Sequence, residues 1–141
     1  MKQRRLAREV ALQALFEIDS VNHPADQVLA HRLEEQSLNE EGQAFARQLV
    51  QGVLASRADL DAVIKHFAPE WPVDQLAIID RNILRLALYE LLSLGDVPIK
   101  VAINEAVELA KLYGSDSAPR FVNGVLGAFL SGHPTLAKRG A

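Results

Sequence analysis

Apolar residues near the start of the chain recur at the spacing of an amphipathic helix. They stand three or four residues apart, at Ala7, Val10, Ala11, Ala14, Leu15 and Ile18. A helix with this spacing carries one continuous apolar face. The strict alternation of apolar and polar residues that is typical of half-buried strands does not persist along the chain. The pattern therefore predicts an all-α protein whose first helix ends between Asp19 and Pro24.

Six more segments show the helical spacing. We predict helices over residues 24–36, from 39 onward, over 58–67, over 75–93, from 98 to 113 and from 117 to 129. Asn39 and Asp74 are expected to cap the third and fifth helices, and Gly95 to end the fifth. Asp96 and Pro98 are expected to begin the sixth. Seven helices joined by short turns predict a compact helical bundle in a single domain, residues 1–141, with a loose tail from about 132.

The composition excludes several classes of protein. The chain has 141 residues, 49% of them hydrophobic, and it contains no cysteine. Disulfides, thiolate nucleophiles and cysteine-ligated metals are therefore excluded. The residues after Met1 form no signal-peptide core, and no apolar run approaches the roughly 18 residues that span a bilayer. We expect a cytoplasmic protein without a membrane segment.

The charge is unevenly distributed. The net charge is −3, which argues against a protein that coats nucleic acid over its whole surface. Four cationic residues nevertheless crowd the first two turns: Lys2, Arg4, Arg5 and Arg8. Any site for nucleic acid must therefore be local and basic.

The side of the first helix that lies away from its apolar stripe has features of a functional surface. Arg5, Arg8, Leu12 and Phe16 follow one another along it at helical spacing, away from the apolar stripe. Guanidinium groups bind phosphates, and an aromatic ring can stack on an unpaired base, so this combination suits single-stranded RNA. In the alternative interpretation, Leu12 and Phe16 pack against another helix and the arginines are solvated.

Candidate catalytic and metal-binding chemistry is sparse. The four histidines, His23, His31, His66 and His133, are scattered and show no metal-ligand spacing. The segment from Ser115 to Ser117 lies at a helix entrance, where such residues ordinarily cap backbone amides. We therefore expect no enzymatic activity, no catalytic residue, no metal and no cofactor.

Four segments resemble, in the same order, signature segments of the NusB family of bacterial antitermination factors. They are RRLAREVALQALF at 4–16, DRNILRLALYEL at 80–91, DVPIKVAINEA at 96–106 and RFVNGVL at 120–126. The resemblance extends from residue 4 to about 129, although residues 20–73 match in pattern only. It implies a fold of two three-helix groups plus a short extra helix.

The resemblance also implies roles for particular residues. By position, Arg4, Arg5 and Arg8 would meet the RNA backbone, and Gln13 and Phe16 would approach its bases. Further family positions near the RNA are matched by Arg85, Ser117, Arg120 and Phe121. Asp80 matches an acidic position that faces a basic partner protein. Each has an ordinary alternative, namely an intrahelical pair for Arg85, a cap for Ser117, the core for Phe121 and a solvated charge for Asp80.

Two positions depart from the family pattern. Phe16 stands where tyrosine is frequent, so a hydroxyl contact would be missing while stacking is retained. Ser117 stands where some members have an acidic residue, and a neutral side chain there repels phosphate less.

The implied partners are single-stranded boxA RNA of ribosomal operons, the ribosomal protein NusE and the transcribing RNA polymerase complex. Cooperative binding with NusE would explain how an acidic chain takes part in RNA recognition. Pairing of two copies through the basic face is a further use that the resemblance leaves open.

Two other functional interpretations compete with that of an RNA-binding antitermination factor. A similar module begins some ribosomal-RNA cytosine methyltransferases, which this chain is too short to match, and a module that binds only protein would share the same helical pattern.

Overall fold

The structure, a computed structural model, describes residues 2–95 and 97–133. Within them the chain forms seven α-helices and no strand, which confirms the predicted all-α class and the number of helices. The chain divides into two compact units, Met1–Ala55 and Ser56–Ala141. The assignment of both units to one domain stays a prediction. Most of the predicted loose tail, residues 134–141, lies outside the described residues.

The first unit consists of α1 (Lys2–Val21), α2 (Ala25–Glu35) and α3 (Glu40–Ala55). α1 packs against both α2 and α3. Its predicted apolar stripe is buried from Ala7 to Leu15, and Phe45 and Leu49 of α3 are buried in the same unit. The predicted cap of α3 is confirmed, because the backbone N–H of Gly42 donates a 2.8 Å hydrogen bond to Oδ1 of Asn39.

The second unit consists of α4 (Arg57–Phe67), α5 (Ile78–Tyr89), α6 (Ile99–Tyr113) and α7 (Ala118–Ser131). α5 contacts each of the other three helices. It is accordingly apolar around most of its circumference, with Ile83, Leu84, Leu86, Ala87 and Leu88 all at most 2% exposed. This helix therefore occupies a central position within its unit.

The predicted start of the fifth helix is wrong by three residues. Val73–Gln75 forms a 3₁₀ turn, and Asp74 lies inside that turn instead of capping a helix. Leu76 and Ala77 then take extended backbone angles, with ψ of 149° and 136°. The tight turn and the extended pair bury Leu76 and delay α5 until Ile78.

The end of the same helix agrees with the prediction. After Tyr89 the chain widens into a π-helical turn, Glu90–Leu94. Gly95 follows with φ of 69°, a left-handed conformation that glycine adopts without steric cost. The predicted role of Asp96 at the start of α6 lies outside the described residues, and Pro98, which we expect in the first turn, lies one residue before α6.

We predict opposite effects on stability for alanine at two glycines of the second unit. A Cβ at Gly114 would lie 2.5 Å from Cβ of Ala118 and 2.9 Å from the backbone oxygen of Ala110, whereas a Cβ at Gly124 meets nothing within 4 Å. Gly114→Ala should lower the free energy of unfolding by about 1–3 kcal/mol because neither neighbour can move away independently. Gly124→Ala, inside α7, should raise it by about 0.5–1 kcal/mol. Urea denaturation of both variants measures these changes, and equal effects would contradict the crowding at Gly114.

Candidate nucleic-acid interface

The side of α1 that remains accessible differs from the one expected. Phe16 is 40% exposed and Arg5 is exposed, as predicted, but Leu12 is fully buried and Arg8 is only 4% exposed. Because α1 packs against two helices of its unit, it buries a wider arc than its apolar stripe alone. The prediction that Arg8 and Leu12 lie on an open side is therefore wrong.

The accessible residues of α1 form a narrower stripe, which we call the open face of α1. It contains exposed or half-buried residues at intervals of three or four: Lys2, Arg5, Glu9, Gln13 and Phe16. At 1.5 Å rise per residue, Arg5 and Phe16 are about 16 Å apart along the helix. Gln13 of the predicted set thus lies beside Phe16, and a cation and a ring share one face.

Arg4 and Arg8 converge on one aromatic ring. The guanidinium carbon of Arg4 lies 4.4 Å from the centroid of Phe45, and that of Arg8 lies 5.4 Å from it. A cation–π contact leaves the guanidinium charged while it fixes the side chain. Arg4, which is half-buried, therefore adds positive charge next to Arg5. This role of Phe45 is not visible in the sequence, because it depends on how α3 packs against α1.

The start of α7 brings together three predicted residues of the second unit. Ser117, Arg120 and Phe121 are spaced by three and one residues, so they lie on neighbouring positions of the first turn. Ser117 and Arg120 are exposed and Phe121 is half-buried. The alternative role of Ser117 as a cap is wrong, because its side chain makes no cap hydrogen bond and its Oγ lies 3.4 Å from Oγ of Ser115.

Arg85 does not lie on an open surface. Its side chain is 3% exposed, and it donates to Asp61 of α4 through Nε at 2.7 Å and Nη2 at 2.9 Å. Its Nη1 also donates to Oδ1 of Asn82 at 3.2 Å. The intrahelical alternative was therefore right in part, but the stronger partner is on another helix. Direct RNA contact by Arg85 stays a prediction, and it would require this bidentate pair to open.

Asp80 is a half-buried acid at the first turn of α5. Its Oδ1 is shielded from solvent, and no described residue donates a hydrogen bond to that atom. Burial consequently raises the pKa of Asp80 above its ordinary value. A basic partner, which the resemblance implies, would therefore meet the accessible part of this half-buried side chain and not the shielded Oδ1.

The described part of the chain contains no candidate metal site. Among residues 2–95 and 97–133, no three His, Asp or Glu side chains gather closely enough to hold a metal ion. None of the helices in that part of the chain is both long and apolar enough to cross a membrane.

In the described residues the protein is entirely helical. Its candidate site is a surface that carries arginines and an exposed aromatic ring. Residues 5–131 match the model of the NusB family. The chain belongs to this family and is a transcription antitermination factor, not an enzyme.

The similarity to individual relatives extends over nearly the whole chain. The transcription antitermination protein NusB of Roseiflexus castenholzii is 50% identical over 137 residues, 96% of either protein. Among solved structures, NusB of T. maritima is 33% identical with a TM-score of 0.87, and the match covers 96% of each chain. A crystal structure of antitermination factors NusB and NusE in complex with double-stranded RNA contains a chain that is 28% identical with a TM-score of 0.86, covering 94% of this chain and 99% of that one.

We predict that Asp80→Asn stabilises the protein at neutral pH. The pKa of Asp80 is raised in the folded state, so the folded state holds this proton more tightly than the unfolded state does. Stability therefore falls as pH rises from below the unfolded pKa through the folded one. Removing the charge should raise the urea midpoint at pH 7 and leave it nearly unchanged at pH 3. An equal shift at both pH values would contradict burial of the charge as the cause.

Proposed function

We propose that this chain binds RNA through the open face of α1 and the start of α7, and that it does so together with NusE in transcription antitermination. The observation that carries the proposal is the exposure of Phe16, 40%, on the same helix face as Arg5. Because antitermination acts on a transcribing polymerase complex, we also propose a cytoplasmic location and association with that complex.

The chemistry of the open face favours RNA. A large exposed ring is unfavourable in water unless it is covered by a ligand, and stacking on an unpaired base covers it. Arg5 on the same face and Arg4 over Phe45 supply charge for phosphates. Arg120 and Ser117, both exposed at the start of α7, supply a guanidinium and a hydroxyl. Arg8 is omitted from the proposed contacts because its side chain is 4% exposed.

The type of RNA is the finer part of the proposal. The related NusB and NusE complex contains double-stranded RNA. We nevertheless propose that this chain prefers single-stranded boxA RNA, because a duplex keeps its bases stacked on one another and leaves no base face for Phe16. Pairing of two copies through the open face would hide Phe16 and Arg5, so it would compete with RNA.

Asp80 is the proposed contact for NusE. Asp80 is half-buried, and a cationic or N–H group of a basic protein would pair with the accessible part of its side chain, because Oδ1 itself is shielded. The chain itself has a net charge of −3, so a basic partner would also contribute phosphate contacts that this chain lacks. Binding of RNA and of NusE should therefore be cooperative.

We predict that Phe16→Ala weakens binding of single-stranded boxA RNA about 5- to 150-fold, measured with NusE present, which corresponds to about 1–3 kcal/mol of stacking. The affinity of the same variant for an RNA duplex of the same sequence should change little. Arg5→Glu should weaken binding of both RNAs and flatten the salt dependence. Arg47→Glu makes the same charge change at an exposed position of α3 and serves as the control. A folded Phe16→Ala variant with wild-type affinity would refute the stacking role.

We predict that Asp80→Asn lowers the affinity for NusE about 10- to 150-fold, the typical worth of a hydrogen bond to a charged group. Asp59→Asn removes an exposed acid of α4 and should bind NusE as the wild type does. Calorimetric titration of NusE into each protein measures both affinities. Unchanged binding by the Asp80 variant would remove Asp80 from the interface, and equal RNA affinity with and without NusE would contradict cooperativity.

A further inference from the structure

A cavity of about 460 Å³ lies between α4, α5 and the turn that precedes α5. We call it the α4–α5 cavity. Its charged lining consists of Arg57, Asp61, Lys65, Asp74, Arg81 and Arg85. The other walls are alanines of α4 together with Pro72 and Val73. All of these residues belong to the second unit, and the RNA contacts expected from sequence include only Arg85 among them.

The charged residues reach the cavity because of their spacing. Arg57, Asp61 and Lys65 follow at four-residue intervals on α4, and Arg81 and Arg85 do the same on α5. Residues four apart lie above one another on a helix. Each helix thus presents a column of charges to the same space.

One side of the cavity is held rigidly. Arg85 and Asp61 form the bidentate pair described above, with distances of 2.7 and 2.9 Å. A planar guanidinium in this arrangement has a fixed orientation. The carboxylate of Asp61 is therefore already engaged and adds little negative potential to the cavity.

The turn before α5 is tied to the same cavity. Nη1 of Arg81 donates to the backbone oxygens of Val73 and Asp74 at 3.4 and 3.3 Å. These long hydrogen bonds connect α5 to the 3₁₀ turn, and Pro72 and Val73 at that turn line the α4–α5 cavity. Arg81 is thus positioned by backbone carbonyls as well as lining the cavity.

The lining carries more positive than negative charge, and ion pairs within the lining do not change this difference. Four cationic side chains face two carboxylates, in a chain whose net charge is −3. Apolar walls beside like charges focus the potential inside a cleft. Guanidinium and ammonium groups together favour a phosphate, which offers several acceptor oxygens. The volume is within the range of small-ligand sites and exceeds what one phosphate group needs.

We propose that the α4–α5 cavity binds a phosphate group. Two sources share this chemistry, a phosphodiester of bound RNA and free inorganic phosphate, and we favour the RNA backbone because it offers many phosphates at once. That RNA source rests on the proposed function, whereas binding of a phosphate group as such does not.

The experiment compares the wild type with the double variant Arg57→Gln and Lys65→Gln, and with Lys100→Gln as a control at an exposed position of α6. Affinity for single-stranded boxA RNA is measured with NusE at 50 and 200 mM salt. Loss of the one phosphate group in the cavity lowers the salt slope by about 0.7, so over this range the wild type should lose about 2.6-fold more affinity than the double variant. The control should behave as the wild type does. Arg85 is left intact because its loss would leave Asp61 unpaired.

A second measurement locates the ligand. Amide resonances of Ala62 and Val73, which line the cavity, are followed during titration with the RNA and, separately, with inorganic phosphate. Shifts with RNA that the double variant loses support the proposal. Shifts with phosphate alone, together with an unchanged salt slope, overturn the RNA backbone as the source. No shift with either probe overturns the site.

The two proposals can fail separately. If the double variant has the wild-type salt slope while Phe16→Ala weakens RNA binding, the cavity proposal fails and the proposed function stands. If the wild type binds no RNA, the proposed function fails, and the phosphate titration alone decides whether the cavity is an anion site.

Discussion

The packing of α1 between α2 and α3 is the constraint on which the candidate interface depends. Contact with two helices buries Ala7, Val10, Leu12 and Leu15 on one helix. What remains accessible is a stripe only one or two residues wide. That stripe contains Arg5 and Phe16 because many of the other positions of α1 lie in the buried arc. The core of the first unit thus determines which side chains can meet a ligand.

The arginines of this chain serve two purposes that composition does not separate. Arg8 and Arg85 are 4% and 3% exposed, and each is compensated locally, one by the ring of Phe45 and the other by the carboxylate of Asp61. Removing a partner from such a buried charge is strongly destabilising. Arg5 and Arg120 are exposed, so other molecules can reach their side chains. A substitution at the first kind of position would therefore act through loss of the fold, whereas a substitution at the second kind would leave the fold intact.

Much of the fold could be predicted from the sequence, because burial imposes a period of three to four residues that can be read directly. The cap at Asn39 and the end at Gly95 followed from local chemistry. The start of α5 did not, since a 3₁₀ turn and a helix share the same capping residues. The site was predicted less well. The burial of Arg8 and Leu12 depends on how many helices surround α1, and the pairing of Arg85 with Asp61 joins residues 24 positions apart. The charge columns of α4 and α5 were visible as spacing, but nothing in one sequence says that they face each other.

Gly114 links the end of α6 to the acid at the start of α5. A Cβ at this glycine would lie 3.3 Å from Oδ1 of Asp80. Because glycine has no side chain, Oδ1 can lie close to the backbone here, where it is shielded from solvent. A residue that ends a helix therefore also sets the environment of a carboxylate on a neighbouring helix. Substitutions at these two positions should be correlated, since a larger residue at 114 would push the acid outward into water and remove the burial that raises its pKa.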